Sequence, residues 1–364
     1  MGTSHGIAIV GLGVISRAYL ETLTRHPRLR IVAVADLDAE RARATAADTG
    51  AEALAVDAAL AHPEVQTVLN LTIPAAHAEV ALAAIAAGKD VYGEKPLAAT
   101  LAEAREVVAA AAAAGVRVGS APDTVLGTGT QTARSAVESG LIGRPVSATA
   151  TWVAPGHEAW HPNPDFYYAP GGGPLLDMGP YYISSLVQTL GPVVSATGAA
   201  SRLRSSRVIQ TGPRAGEEIP VSVDTHVSGV LEHANGALST ITTSFDGVRT
   251  QANPIEIHGE RGSLSVPDPN YFDGEVRTFA LGSEAWAPVA ASAGFEEGSR
   301  GAGLIDFVFG DRQTPRAGGA IGLHVLEVMS ALLESARSGR RVAVDSAPEL
   351  PSLVPLTPRS EWLS

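Results

Sequence analysis

The sequence predicts an α/β protein of two domains: a doubly wound parallel sheet, then an α+β domain with a large, mostly antiparallel open sheet. Three observations support this prediction. The 364 residues suit two domains better than one. Up to about residue 122, compact apolar runs alternate with helical patterns, as in parallel sheets with helical crossovers. Beyond that residue, strand patterns follow one another directly, so we expect domains at residues 1–122 and 123–364.

Composition excludes several classes of function. The formal net charge of −12 argues against nucleic acid or an anionic membrane as a partner, since both favour lysine and arginine. The chain has no cysteine, which excludes disulfides, thiolate metal sites and cysteine nucleophiles, and we predict no metal site. There is neither a signal-peptide pattern nor an apolar run approaching about 18 residues. We therefore expect a cytoplasmic protein.

The first apolar run, Ile7–Val10, is of strand type and leads into a glycine turn and a helical pattern. This order is typical of a dinucleotide site, where glycines let the backbone approach a pyrophosphate at the N-terminus of a helix. Ser16 stands at the third glycine position of the motif, so the motif is incomplete. The predicted contacts of this turn are Gly11, Gly13, Val14 and Ile15.

The second strand, Ile31–Ala35, ends in Asp36, as expected of the acid that hydrogen-bonds the adenosine ribose about 20 residues after the turn. The alternative is that Asp36 caps the helix predicted over residues 38–49. A carboxylate here repels a 2′-phosphate, which favours NAD over NADP. Arg41 and Arg43 nearby keep NADP as an alternative.

Three further strands are predicted at 67–71, 90–92 and 116–119, separated by helices. The 90–92 strand delivers Glu94-Lys95-Pro96. Pro96 restricts Lys95 to an extended backbone, which presents the lysine at the carboxyl edge of the sheet, where ligands bind in open parallel sheets. The alternative is a solvated surface lysine.

In the second half, strands are predicted at 146–153, 195–203, 226–233, 237–245, 255–258, 262–266 and 276–281, with a hairpin around Ala234-Asn235-Gly236. Helices are predicted at 129–139 and 320–338, a short strand at 341–344, and an extended proline-rich tail from Pro348. An antiparallel sheet with helices on one face leaves its other face uncovered. We therefore expect self-association.

The segment 157–168 is dense in aromatic and polar residues, although aromatics make up only 5% of the chain. Aromatic faces with nearby hydrogen-bonding groups suit a polyhydroxylated ligand. The alternative is an ordered loop that packs on the sheet.

A glycine-rich stretch, Gly171-Gly172-Gly173-Pro174, then opens a helix predicted to run to Leu190. Asp177 and Tyr181 are four residues apart and therefore share a face of this helix. The alternative for Asp177 is a helix N-cap, which leaves Tyr181 unexplained.

These motifs together resemble those of the glucose-fructose oxidoreductase, inositol dehydrogenase and MocA (Gfo/Idh/MocA) family. The resemblance rests on the glycine turn, Asp36, Glu94-Lys95-Pro96 and the 177–181 segment, and it spans nearly the whole chain. It implies a Rossmann domain, a C-terminal domain whose open sheet forms dimers or tetramers, and hydride exchange between a nicotinamide and a carbon of a sugar or cyclitol.

By position, the resemblance implies that Lys95 hydrogen-bonds the reacting hydroxyl and that Asp177 orients the substrate. Many members have Asp-x-x-x-His, with the histidine as acid/base, whereas this chain has Tyr181 in that place. A free phenol has a pKa near ~10 and is a poor base at neutral pH. The ammonium of Lys95 and an oxidised nicotinamide would favour the phenolate, so we assign Tyr181 as acid/base as a hypothesis.

The resemblance also suggests further contacts. Asp306 is a candidate, and His324 is expected to pack within the fold. The remaining predicted cofactor contacts are Ile73, Pro74, His77, Glu94 and Lys95. The predicted substrate contacts are Asp123, Thr124, Trp160, His161 and Arg300.

Three functions are weighed. The first is an NAD(P)-dependent dehydrogenase acting on a secondary hydroxyl of a sugar, anhydrosugar or inositol. The second retains its NAD and performs epimerisation, elimination or glycoside cleavage through transient oxidation. The third is a non-catalytic nucleotide-binding sensor, which Lys95 and Tyr181 disfavour.

Overall fold

The computed structural model describes residues 4–364, which form two compact units. The first unit contains residues 4–128, 293–323 and 351–364, and the second contains residues 129–292 and 324–350. The chain therefore passes between the units four times. The predicted division after residue 122 lies close to the first of these passages, and the later returns of the chain were not anticipated.

The first unit is built on a six-stranded parallel sheet in the order β3-β2-β1-β4-β5-β6. This confirms the predicted doubly wound sheet; only the two-residue strand β3 was not predicted. Its elements up to residue 120 are β1 (His5–Val10), α1 (Ser16–Leu23), β2 (Leu29–Ala35), α2 (Ala39–Thr49), β3 (Glu52–Ala53), α3 (Val56–Ala61), β4 (Thr67–Asn70), α4 (Pro74–Ala86), β5 (Asp90–Gly93), α5 (Leu101–Ala114) and β6 (Val118–Ser120).

The middle of the chain supplies most of the second unit. Its elements are α6 (Thr128–Glu138), β7 (Pro145–Val153), α7 (Asp165–Tyr168), α8 (Pro174–Leu190), β8 (Val193–Ser201), β9 (Ser206–Val208), β10 (Glu218–Pro220), β11 (His226–His233), β12 (Leu238–Ser244), β13 (Ile255–Gly259), β14 (Gly262–Val266), β15 (Val276–Ala280) and β16 (Ala287–Val289). The rest of the chain adds α9 (Ala302–Phe309), α10 (Gly319–Ser338), β17 (Val342–Ala343) and α11 (Arg359–Trp362).

A nine-stranded sheet forms the core of the second unit, in the order β16-β15-β14-β13-β7-β12-β11-β8-β17. Only β7 and β12 run parallel; every other neighbouring pair is antiparallel, as predicted. Strands β11 and β12 form the predicted hairpin. The two-stranded sheet of β9 and β10 and the edge strand β16 were not predicted.

Helices α8 and α10 cover one face of this sheet, and small residues let them approach closely. A Cβ atom at Gly179 of α8 would lie 2.8 Å from Met329 Sδ of α10, and one at Gly229 of β11 would lie 2.3 Å from Leu332 Cδ2. The opposite face is open. Thr149, Thr197, Val230 and Thr240 stand there side by side in register and are exposed.

Helix α10 is long and apolar enough to cross a membrane by length and composition alone. However, 61% of its most apolar window is buried inside the structure, as in the core helix of a folded domain. His324 is buried in this helix: its Nε2 accepts from the backbone N–H of Val193, and its Nδ1 contacts Ser346 Oγ. This confirms that His324 packs within the fold.

The proline-rich tail lies in the first unit. The backbone N–H of Gly294 donates to the carbonyl of Val354, and that of Glu296 donates to the carbonyl of Thr357. The tail therefore runs along the segment that precedes α9, and its partner is its own chain.

Candidate active site

The glycine turn after β1 has the close approach that its sequence predicts. Gly11 has a φ of +91°, and a Cβ atom there would lie 2.7 Å from the backbone between Leu71 and Thr72, so only glycine fits. At Gly13 nothing lies within 4 Å of an added Cβ, so the backbone faces open space. The turn is thus closed on the protein side and open on the other, as a pyrophosphate site requires.

Asp36, at the end of β2, holds this turn through hydrogen bonds. Its Oδ2 accepts the backbone N–H of Leu12 at 2.7 Å, and its Oδ1 accepts that of Asp38 at 2.8 Å. Arg41 Nη1 lies 3.4 Å from both oxygens. Asp38, and not Asp36, caps α2 by accepting from two backbone N–H groups. The two contacts with Arg41 are long, so a further donor could bind Asp36 by taking the place of Arg41.

Two apolar side chains stand exposed beside the turn, at the carboxyl ends of neighbouring strands. Val14 is 86% exposed and Ile73 is 60% exposed. Ile73 precedes α4, whose first residue is Pro74, and Ile15 precedes α1. Exposed apolar groups at such an edge suit the flat rings of a dinucleotide. The cofactor contacts assigned to Val14, Ile15, Ile73 and Pro74 stay predictions.

The backbone around Lys95 is anchored on both sides. Glu94 accepts the hydroxyl of Tyr19 at 2.8 Å and the backbone N–H of Lys95 at 3.1 Å. Burial, and then the charge of Glu94, raise the pKa of Tyr19, so this hydroxyl stays protonated and donates. On the other side, His77 Nδ1 lies 2.6 Å from the carbonyl of Pro96.

His77 is buried, and its second nitrogen lies 3.0 Å from the carbonyl of Thr72. Burial lowers its pKa. Both ring nitrogens face backbone carbonyls. A neutral imidazole has one N–H and donates to one of them, which fits a structural support of the lysine loop. The cofactor contacts predicted for His77 and Glu94 stay predictions.

The structure gives Asp123 and Thr124 a different place from the expected substrate side. Asp123 is fully buried and accepts the backbone N–H groups of Gly301 at 2.8 Å and Gly303 at 3.4 Å, with Arg300 Nη1 at 3.2 Å. Thr124 is also buried. Burial raises the pKa of Asp123, against the effect of the guanidinium. The carboxylate holds the start of α9, so direct contact between Asp123 and a substrate is not supported.

Asp306 also has an internal role. It is buried in α9 and pairs with Arg316. Burial raises its pKa, and Arg316 opposes that effect. The structure therefore does not support Asp306 as a site residue.

In the second unit, Asp177 is a first-turn residue of α8 and not its N-cap. The helix begins at Pro174, and Gly173 occupies the N-cap position with no side-chain bond. Tyr181 follows one turn later and is buried. Pro180 between them lacks the N–H that would bond the carbonyl of Leu176. The N-cap alternative for Asp177 is therefore wrong.

A histidine that was not assigned to the site reaches Asp177. His157 Nε2 lies 2.6 Å from Asp177 Oδ2, and the indole Nε1 of Trp160 donates to His157 Nδ1 at 3.1 Å. An indole nitrogen can only donate, so Nδ1 must be the acceptor. The neutral imidazole therefore carries its proton on Nε2 and donates it to the carboxylate.

The imidazole of His157 lies among aromatic rings. Tyr167, Phe245 and Trp152 have ring centroids 4.3, 4.7 and 6.0 Å from it. Trp160, by contrast, is 58% exposed, and its ring lies 5.3 Å from that of His161. Burial lowers the pKa of His161. The imidazole of His157 thus links an exposed aromatic ring to an oriented carboxylate.

A buried ionic network supports the turn that carries His157. Arg207 donates to Glu158 Oε1 at 2.7 Å and to Asp246 Oδ1 at 2.6 Å. Tyr168 donates to the other oxygen of Glu158, and its own oxygen accepts the backbone N–H of His157. Sequence reasoning missed Arg207 and Glu158, because nothing in the local sequence pairs residues 49 positions apart.

Two family models match the chain. One, described as an oxidoreductase family with an NAD-binding Rossmann fold, matches residues 5–121, and the other, described as the GFO/IDH/MocA C-terminal domain, matches residues 130–265. The chain belongs to the Gfo/Idh/MocA family. The resemblance inferred from the glycine turn, Glu94-Lys95-Pro96 and the 177–181 segment is confirmed.

Similar proteins of this Gfo/Idh/MocA family carry specific names. A 1,5-anhydro-D-fructose reductase from Ensifer adhaerens is 29% identical over 262 residues, which span 70% of this chain and 74% of that protein. An inositol 2-dehydrogenase from Gluconacetobacter diazotrophicus is 38% identical over 117 residues, 31% of this chain and 35% of that one. An NAD binding oxidoreductase from Klebsiella pneumoniae superposes with a TM-score of 0.82 at 26% identity, covering 94% of this chain and 100% of that one.

As a Gfo/Idh/MocA protein, the chain is an NAD(P)-dependent oxidoreductase of CH–OH groups, and its first unit is an NAD-binding domain. The predicted enzyme class and the predicted cofactor are therefore confirmed. The open turn at Gly13 and the carboxylate of Asp36 at the end of β2 fit a dinucleotide.

Proposed function

We propose that this enzyme exchanges a hydride with a secondary hydroxyl, or the corresponding ketone, of a sugar, anhydrosugar or inositol. The observation that carries the proposal is the oriented carboxylate of Asp177, linked through His157 to the exposed ring of Trp160. Such a pair offers an acceptor for hydroxyl groups and an apolar face for ring C–H groups. The relatives named as an anhydrofructose reductase and an inositol dehydrogenase support the same class of substrate.

In this proposal the glycine turn binds the pyrophosphate of NAD through Gly11, Gly13, Val14 and Ile15, and Asp36 accepts from the adenosine ribose. NAD, when bound, supplies the hydride acceptor. The anionic Asp36 favours NAD over NADP, because it repels a 2′-phosphate. Arg41 does not reverse this preference, since it is already paired with Asp36 and Asp38.

The proposed chemistry at the substrate uses three side chains. Lys95 hydrogen-bonds the reacting hydroxyl, and its positive charge stabilises the oxygen as the proton leaves. Tyr181 Oη takes this proton in the oxidation direction and returns it in the reduction direction. Asp177 accepts from a neighbouring hydroxyl and thereby orients the ring. We further propose a cytoplasmic, homo-oligomeric enzyme, on the grounds of a cysteine-free chain and the open sheet face.

The first test follows the absorbance of reduced nicotinamide while the purified protein, with NAD and then NADP, is offered sugars, anhydrosugars and inositols. We expect the band to grow with NAD and one class of ring substrate. Substrate consumption without net reduced nicotinamide, and with tightly held cofactor, would instead favour the retained-NAD alternative. No turnover of any polyol would overturn the proposal.

The second test separates catalysis from cofactor binding. Lys95→Ala should lower kcat by at least about 100-fold with little change in NAD affinity, since general acid–base and charge effects of this kind contribute about 10²–10⁴-fold. Lys89→Ala is the matched control, because Lys89 donates to the carbonyls of His62 and Val65. Equal loss of kcat and NAD affinity in Lys95→Ala would remove the assigned role.

The same comparison applies to the tyrosine. Tyr181→Phe should lower kcat about 100-fold or more with a modest change in substrate KM. Tyr182→Phe is the control on the next residue of α8, where the hydroxyl donates to Asp268 at 3.1 Å. Near-normal kcat in Tyr181→Phe would move the acid/base role to another group.

A further inference from the structure

The chain lacks histidine at the fourth position after Asp177, yet a histidine reaches that carboxylate from another element. His157 lies in the short 3-10 turn His157–Ala159, twenty residues upstream, and it is buried. None of the roles proposed above uses this side chain. Its hydrogen bonds show what it can do.

The two bonds of His157 admit a single protonation state. Trp160 Nε1 donates to Nδ1, and Asp177 Oδ2 faces Nε2. The other neutral tautomer would set an N–H against the indole N–H and a lone pair against the carboxylate. The imidazolium would keep the bond to Asp177 but lose the bond to Trp160. The imidazole is thus a bridge with a fixed direction, from the indole N–H to the carboxylate.

This bridge joins two unlike surfaces. On one side is a carboxylate whose plane is set by a donor 2.6 Å away. On the other side is the indole of Trp160. Its nitrogen is hydrogen-bonded to His157, while the residue stays 58% exposed. Holding the indole nitrogen fixes the plane of the ring before a ligand arrives, which lowers the entropy lost on stacking.

The bridge also rests on a rigid base. The backbone N–H of His157 bonds Tyr168, and the next residue, Glu158, is paired with buried Arg207. Both the ring and the backbone of His157 are therefore fixed before substrate binds, as a well-ordered site requires.

We propose that His157 is a positioning residue that couples Asp177 and Trp160 into one subsite for a hydroxylated ring. Asp177 accepts from a ring hydroxyl while the indole face covers the adjacent C–H face. This inference rests on the proposed function for its substrate class and adds a specificity element: rings with an unbroken C–H face beside a free hydroxyl bind, and linear polyols bind weakly.

The kinetic test compares His157→Phe with His157→Gln on the ring substrate found in the panel. Phenylalanine keeps the aromatic packing but has no donor, so KM should rise about tenfold while kcat changes less than about threefold. Glutamine has both a donor and an acceptor and should restore KM to within about threefold of wild type. In an Asp177→Ala background, His157→Phe should change KM less than about twofold, because the acceptor of its hydrogen bond is already absent.

His233→Gln is the structural control. His233 is buried in the same unit and bonds the carbonyl of Gly191 and Ser239 Oγ. This variant should lower the thermal midpoint and leave KM unchanged. If His157→Phe lowered stability without raising KM, or if glutamine gave no rescue, the positioning role would be overturned.

A binding test keeps this inference separate from the proposed redox activity. The indole ¹⁵N–¹H signal of Trp160, assigned with Trp160→Phe, reports the bridge directly and should move in His157→Phe. Titration with ring sugars should shift it in wild type with about tenfold lower Kd than in His157→Phe. Binding of this kind without turnover would overturn the proposed oxidoreduction and support the subsite. Turnover with equal Kd in both proteins would overturn the subsite and leave the proposed function intact. No binding would overturn both.

Discussion

Asp36 holds backbone at the end of β2, and we propose a second role in cofactor binding. Its oxygens hold the backbone of Leu12 and Asp38, and we propose that they also accept from the ribose in place of their long contacts with Arg41. Asp36→Ala should raise the Kd for NAD about 10- to 100-fold, since hydrogen bonds to charged groups are worth about 1.5–3 kcal/mol. Calorimetric titration with NAD and NADP measures this change.

Asp38→Ala is the matched control for this prediction. Asp38 accepts the backbone N–H groups of Glu40 and Arg41 and caps α2, so its loss should lower stability and leave the NAD Kd near wild type. Equal losses of NAD affinity in the two variants would show that Asp36 acts only through the fold.

For single residues, the sequence predicted the roles that depend on neighbours in sequence. It missed the roles that depend on partners far away in sequence. Asp36 follows its strand directly, and the glycine turn lies next to its helix. By contrast, His157, the partner of Asp177, is twenty residues away. The backbone N–H groups that hydrogen-bond Asp123 belong to Gly301 and Gly303. No local periodicity carries such information.

Among the helices, α10 contains a histidine, His324, whose protonation makes the free energy of unfolding depend on pH. Burial lowers the pKa of His324 to about 4. Between pH 6.5 and 4 the unfolded chain binds a proton that the folded chain does not, so stability is fully present above about pH 6.5 and is lost as pH falls. The difference amounts to about 2 kcal/mol at pH 5.

His324→Gln removes this group and should therefore weaken the pH dependence. Urea unfolding at pH 7.5 and pH 5 measures it: the wild type should lose about 2 kcal/mol more than the variant does. Other buried histidines, such as His77, are present in both proteins and cancel. An identical loss in the two proteins would contradict the assignment.

Helices and strands were predictable where their hydrophobic pattern extended over enough residues. The parallel strands of the first unit are apolar runs flanked by helices, and α8 and α10 have clear buried faces. Strands β9, β10 and β16 have three residues each, which is too short for an alternating pattern to show. They form through pairing with a neighbour and not through their own sequence.

For the whole molecule, the open sheet face predicts self-association. Val230 is 41% exposed and stands in register between Thr197 and Thr240, in the uncharged part of a row that reaches Glu256 only beyond Thr149. Val230→Asp should give a smaller species than wild type in size-exclusion chromatography with light scattering, because a buried unpaired charge opposes assembly. Leu281→Asp, at an exposed loop residue, is the control and should leave the mass unchanged. A monomeric wild type would contradict the prediction.

The four passages of the chain between its units also limit how this fold can be divided. Residues 1–122 alone would lack α9. In the intact chain, Gly303 of α9 packs against Tyr92, and the carbonyl of Phe307 accepts from Arg117. A gene fragment that ends at the apparent domain boundary would therefore encode an incomplete nucleotide-binding unit. Recombination can exchange this unit only together with residues 293–323 and 351–364, which belong to it. The segments of both units are therefore inherited as one module.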